Sequence, residues 1–258
     1  EHDLLPAVEN ANADRQLGYE AKGTPRVDFL DSLGDLRAYA GQKLDWKRCD
    51  DSEASQCTKV TVPLDWDDPA GDAIEIAVRR VPNGDSSRGP LFVNPGGPGF
   101  GGQSMAESLA GRWADYDTVG WDPRGTGEST HVVCGTLEQT DKIMNLDASP
   151  DDDAEDEALR AGALLDHITT IDVVRDLDLI RHLLGAEKLN YVGVSYGTFV
   201  GAMYAELFPN SVGRLVLDAA VEITDEDPIP QAAGFELALT NFAQRCGGSS
   251  LCALGAPT

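Results

Sequence analysis

The sequence predicts an α/β fold: a mostly parallel central sheet flanked by helices. Two patterns predict it. Apolar strand-like runs alternate with amphipathic helical stretches through short connections along the second half of the chain. Glycine-rich turns also stand directly after two of those runs, at residues 94–102 and 193–197. The composition agrees. A chain of 258 residues with 41% hydrophobic and 25% charged residues suits a soluble globular core and excludes a mainly disordered one.

The elements follow in order. Residues 1–41 are polar, with short apolar patches such as Phe29-Leu30 and Leu33, and read as an N-terminal extension lying on the surface. Residues 59–62 alternate polar and apolar until Pro63, and residues 74–78 alternate until Pro82; both are strands. Residues 83–87 (Asn-Gly-Asp-Ser-Ser) form a turn. Two short apolar strands follow, at 91–93 and 118–121. Val173, Leu177, Ile180 and Leu184 then fall at spacings of four, three and four, which is one face of a helix. Thr169-Thr170-Ile171-Asp172 supplies a capping-box-like start to it and Gly185 a stop. A strand at 189–194, a helix at 198–207 ended by Phe208-Pro209, and a strand at 214–217 complete the alternation.

Charge narrows the function. The net charge is −24, from 44 acidic against 20 basic residues, which opposes binding to phosphate backbones or anionic membranes and favours solubility. No apolar run approaches the roughly 18 residues of a membrane span. The acidic stretch 151–157 has neither ligand spacing nor a turn glycine, so it reads as a solvated loop; no metal and no cofactor is expected. Five cysteines are present: Cys49, Cys57, Cys134, Cys246 and Cys252. Neither close pair is C-x-x-C, so two short disulfide loops, Cys49–Cys57 and Cys246–Cys252, are expected, with Cys134 left over. Such bridges imply an oxidising compartment; reduced buried thiols are the alternative. The chain starts at Glu1, as a processed export precursor or a trimmed piece would.

The chemistry centres on Gly193-Val194-Ser195-Tyr196-Gly197. An apolar strand enters this G-x-S-x-G and an amphipathic helix leaves it, as a nucleophile elbow requires. Ser195 must hold an unfavourable backbone conformation so that its Oγ projects above the strand ends, and glycines two residues either side relieve crowding. An acyl-transfer oxyanion needs two N–H donors. Tyr196 supplies one, and the loop Asn94-Pro95-Gly96-Gly97-Pro98-Gly99-Phe100-Gly101-Gly102 supplies the other, from Gly97 or, as a near alternative, Gly96. A competing reading exists: Gly97, Gly99 and Gly102 spell the dinucleotide fingerprint G-x-G-x-x-G, with Asp122 20 residues on. It is disfavoured because Pro98 stiffens the turn, two strands precede it, and the elbow is left unexplained. In Trp121-Asp122-Pro123-Arg124-Gly125-Thr126-Gly127, Asp122 and Arg124 are expected to pair and brace the loops around the site.

These motifs in this order resemble one family. Leu44-x-Trp46-x-x-Cys49, Cys57, Val62-Pro63-Leu64-Asp65, Asn94-Pro95-Gly96-Gly97-Pro98-Gly99, Asp122-Pro123-Arg124-Gly125-x-Gly127-x-Ser129 and Gly193-x-Ser195-Tyr196-Gly197-Thr198 are similar to the secreted bacterial tripeptidyl aminopeptidases, prolyl-aminopeptidase-like α/β-hydrolases. The resemblance runs from about Leu44 to Cys252. It implies an exported serine exopeptidase that takes short peptides, tripeptides foremost, from free N-termini. It also implies a lid inserted after the sixth strand. The chain then divides into the extension 1–41, an α/β-hydrolase core 42–221 lacking its last strands, and the start of the lid at 222–258. Acidic residues near such lids hold the substrate's α-ammonium; Glu222, with Asp225, Glu226 and Asp227, are candidates, a plain acidic loop being the alternative.

The general base is missing. In this fold the order is Ser, then Asp or Glu, then His, yet His2, His131, His167 and His182 all precede Ser195. Asp218 could serve as the acid, but no histidine follows it. The expectation is that a His and an Asp come from beyond Thr258, on the same or a second polypeptide. A base in an unusual place, His131 or His167, is one alternative. Others are an esterase or lipid acyl hydrolase of the cell envelope, and a catalytically dead binding protein.

Overall fold

A computed structural model of the chain describes residues 36–84, 87–132, 162–222 and 231–247. Cys134, Cys252, His2, residues 225–227 and the acidic stretch 151–157 lie outside the described residues.

The elements are α1 (Arg37–Ala40), β1 (Lys47–Cys49), β2 (Ser52–Pro63), β3 (Ala73–Val81), β4 (Pro90–Asn94), α2 (Gln103–Ser108), β5 (Asp117–Trp121), α3 (Thr170–Leu183), β6 (Leu189–Val194), α4 (Tyr196–Leu207), β7 (Val212–Asp218) and α5 (Gln231–Gly247). The seven strands form one sheet in the order β1-β2-β3-β5-β4-β6-β7. The first three neighbouring pairs are antiparallel, and β5/β4, β4/β6 and β6/β7 are parallel. The parallel half is the part that the strand–helix alternation predicts. The antiparallel half comes from the β2–β3 hairpin, whose strands alternate faces along the runs that end at Pro63 and near Pro82.

Alternation along β4 splits the core between the two faces. Phe92 joins a large cluster with Val119, Trp121, Leu177, Ile180, Tyr191, Val200 and Tyr204, beneath α3 and α4. Leu91 and Val93 point the other way, to a small cluster with Ala106, Tyr116 and Val192 beneath α2. α1 and β1 were not legible as elements; Leu36 and Ala40 are buried in the large cluster, so residues just before position 41 contribute to the core. α3 starts as its sequence dictates: the Thr169 hydroxyl accepts the Asp172 N–H at 3.2 Å. Cys49 and Cys57 are disulfide-bonded, joining β1 to β2. Cys246 is disulfide-bonded too, while Cys252, its expected partner, lies outside the described residues.

The chain divides into two units. The sheet and its helices form one, up to Val221. The other begins at Glu222, which is solvent-exposed, and contains α5, an amphipathic helix with Phe235, Leu239 and Phe242 on one stripe, all exposed. None of the described helices is long and apolar enough to cross a membrane.

Candidate active site

Ser195 stands alone between the end of β6 and the start of α4, at φ 55° and ψ −125°. This is a strained region for a residue with a Cβ. The surrounding bonds over-determine it. The Ser195 N–H donates to the Asp218 carbonyl at the end of β7, 3.0 Å away. The Ser195 carbonyl accepts from the Thr198 N–H at 2.8 Å and from the Thr198 hydroxyl at 2.6 Å. Thr198 Oγ1 in turn accepts the Val221 N–H at 2.8 Å. The two flanking glycines are forced. A methyl at Gly193 would land on the Gly197 carbonyl, and one at Gly197 would stand 2.6 Å from the Asn94 carbonyl oxygen. Ser195 Oγ has no hydrogen-bond partner among the described residues.

The loop after β4 lies directly on this turn. A methyl at Gly96 would collide with the Val194 carbonyl and stand 2.9 Å from Tyr196 N and 3.0 Å from Ser195 Cβ. Gly96 and Gly97 have φ of 97° and 115°, in the region that favours glycine, and the Gly97–Pro98 peptide is cis. The Gly96 N–H is already spent: it donates to Asn94 Oδ1 at 2.8 Å. The N–H groups of Gly97 and Tyr196 have no partner among the described residues, and Tyr196 N is the first N–H of α4. Of the two sequence alternatives, Gly97 is therefore the one with a donor to offer. Tyr196 is braced from its other end, its hydroxyl 2.8 Å from Thr170 Oγ1 and its ring stacked on Phe199. Burial pushes the Tyr196 phenol up, and the bond to Thr170 pulls it partly back.

Asp122 and Arg124 do brace this region, but not by pairing with each other. Asp122 is buried and its Oδ2 accepts from Gln103 Nε2 at 2.7 Å and from the Glu128 N–H at 2.9 Å. A methyl at Gly101 would collide with it. Arg124 reaches the other way, into the core. It grips Asp176 with Nε at 2.8 Å and Nη2 at 2.7 Å. Its other N–H groups reach the carbonyls of Leu64, His167 and Pro63. Sequence spacing favoured a local partner; the true partner lies 52 residues on, and only its position on the buried face of α3 hinted at it. The buried state of Asp122 also removes the dinucleotide reading, because the acid that would hold a ribose is enclosed.

The histidines do not complete a relay here. His131 Nδ1 lies 3.4 Å from the Ser129 carbonyl, and His167 Nδ1 lies 4.0 Å from Asp65. His182 is buried in the last turn of α3. None of the described histidines hydrogen-bonds Ser195. Asp218 meets the elbow through its backbone carbonyl. No group of metal-ligating side chains occurs among the described residues.

Comparison with known proteins decides the family. Residues 89–256 match the model of the alpha/beta hydrolase fold. The chain belongs to the α/β-hydrolase family. Among curated relatives, it is 40% identical over 205 residues to a tripeptidyl aminopeptidase of Streptomyces coelicolor, covering 69% of this chain and 38% of that protein. It is 36% identical over 250 residues to the serine protease Hip1 of Mycobacterium tuberculosis, covering 84% and 47%. It is 37% identical over 241 residues to carboxylesterase B of the same species, covering 81% and 46%. The chain thus spans less than half the length of these α/β-hydrolase relatives.

Proposed function

We propose that the protein is a secreted or cell-envelope serine exopeptidase that releases short peptides, tripeptides foremost, from free N-termini. The observation that carries this reading is the pairing of an exposed nucleophile with two unengaged donors: Ser195 Oγ on its strained turn, beside the free N–H groups of Tyr196 and Gly97. Ser195 attacks the scissile carbonyl, and the oxygen that becomes negative is held by those two N–H groups. A His from beyond Thr258 takes the serine proton and passes it to the leaving amine, and an Asp, also from beyond Thr258, orients that His and stabilises its charged form. The likeness to a tripeptidyl aminopeptidase and to the protease Hip1 supports peptides as substrate. The Cys49–Cys57 bridge supports an oxidising compartment. Glu222 at the start of the lid is the proposed holder of the substrate's α-ammonium.

The sheet supports a completing segment. β7 is an edge strand whose Val216, paired in register with Val192, is 55% exposed on the face that α2 covers elsewhere. An exposed apolar edge of this kind favours further strands or helices packing against it.

A second reading has its own support. The likeness to carboxylesterase B favours an acyl hydrolase acting on esters, and an elbow of this kind serves either bond. Comparing a tripeptide amide with its N-acetylated form separates them. An exopeptidase cleaves the free amine at least about a hundredfold faster, since the acetyl group leaves the carboxylate that binds the ammonium unpaired. Equal rates end the aminopeptidase reading.

A further inference from the structure

We infer that Asn94 is a positioning residue for acyl transfer: it locks the oxyanion loop onto the nucleophile turn with a neutral amide where a carboxylate would oppose the developing charge. The inference rests on the reading of Ser195 as the nucleophile.

Asn94 closes β4 and is 1% exposed. Its Oδ1 accepts the Gly96 N–H at 2.8 Å. That bond fixes the amide's orientation, because only the oxygen can face a donor. It also withdraws the Gly96 N–H and leaves Gly97 to donate. The same residue packs on the elbow: a methyl at Gly197 would stand 2.6 Å from the Asn94 carbonyl oxygen and 2.9 Å from its Oδ1. Asn94 therefore touches both halves of the oxyanion site, the Gly96–Gly97 loop and the Ser195–Gly197 turn, and sets their spacing.

The other end of the amide is the telling part. Asn94 Nδ2 is buried with no hydrogen-bond partner among the described residues. An orphaned buried donor is costly; Asp could make the bond to Gly96 with no donor left over, and Ser or Thr with only a single rotatable O–H. Asparagine differs from aspartate in being neutral, and from serine in presenting the positive end of an amide dipole. Both properties favour negative charge arriving at the Gly97 and Tyr196 N–H groups, in a dry environment where a nearby carboxylate would repel it.

The test is steady-state hydrolysis of an activated short-acyl ester by the intact natural protein carrying Asn94→Asp, Asn94→Ser or Asn94→Ala, with Ser195→Ala as control and melting temperatures for each. Asn94→Asp should lower kcat about 10- to 100-fold at pH 8 with KM within about twofold, because the charge acts on the transition state. Its kcat relative to wild type should rise as pH falls and the new carboxyl is protonated. Asn94→Ser, a neutral acceptor, should retain at least about a tenth of the rate, and Asn94→Ala should lose more than Asn94→Ser. Should Asn94→Asp fail to fold, the Ser-over-Ala order carries the test, and equal rates for those two overturn the proposal. A folded Asn94→Asp within about threefold of wild type at every pH overturns it alone. Turnover that survives Ser195→Ala overturns both this and the reading of the nucleophile.

Discussion

Ser195 holds its left-handed backbone at φ 55° against the usual preference of a residue with a Cβ, and glycine would hold it without strain. The usual order of stability, alanine over glycine by about 0.5–1 kcal/mol, should therefore vanish or reverse at this position. Chemical denaturation of Ser195→Gly and Ser195→Ala measures it; a Ser195→Ala protein more stable by 1 kcal/mol would mean that the turn is unstrained. Gly96 is the more severe case. Gly96→Ala drives a methyl into the Val194 carbonyl and against Tyr196 N, so the loop must lift off the elbow. A fall of about 10²-fold or more in kcat is expected, in line with losing one oxyanion donor. At this scale the sequence was informative. G-x-S-x-G between a strand and a helix carries its own geometry, and the second glycine run marks the partner loop. The choice between Gly96 and Gly97 was not legible, because it turns on which N–H the Asn94 side chain occupies.

Arg124 illustrates what elements hide from sequence. Its five N–H donors are all used, two on Asp176 of α3 and three on carbonyls at the end of β2 and before α3. Trp66 Nε1 adds a third bond to the Asp176 carboxylate at 3.0 Å. Both charges are fully buried. Truncating either leaves the other uncompensated, so Arg124→Ala and Asp176→Ala should each cost about 3–5 kcal/mol. Arg124→Lys should be little better, because an ammonium cannot satisfy a carboxylate and three carbonyls spread over a planar fork. Urea denaturation of the three variants checks this, and a cost below about 1 kcal/mol for Arg124→Lys would contradict the fork's role. Strand and helix positions were readable from period and caps, Thr169 most clearly. The pairing of a loop arginine with a helix aspartate was not, since nothing local specifies a contact across 52 residues.

Across the sheet and its helices, burial raises the phenols of Tyr39, Tyr191, Tyr196 and Tyr204. Tyr191 and Tyr204 are pushed well above the ordinary 10.0, burial being the largest cause in both, and Asp178 adds to it at Tyr204. Above pH 10 the unfolded chain releases these protons and the folded chain keeps them. Unfolding is then favoured, and stability should fall by up to about 1.4 kcal/mol per pH unit for each tyrosine. Denaturation midpoints between pH 9 and 11 should show that slope, and Tyr191→Phe should flatten it; an unchanged slope would place those phenols in contact with water. The sheet's order was only partly legible: alternation of strand and helix gives the parallel half, while the antiparallel β1-β2-β3 edge has no comparable signal. At the sheet edge β7 leaves Val216 exposed, and none of the described histidines hydrogen-bonds Ser195. Labelling of the intact natural protein with a serine-reactive fluorophosphonate, read by peptide mass mapping, tests the central claim most directly. An adduct on Ser195 that disappears in Ser195→Ala is predicted; a folded protein that stays unlabelled, or labelling that persists in Ser195→Ala, would contradict it.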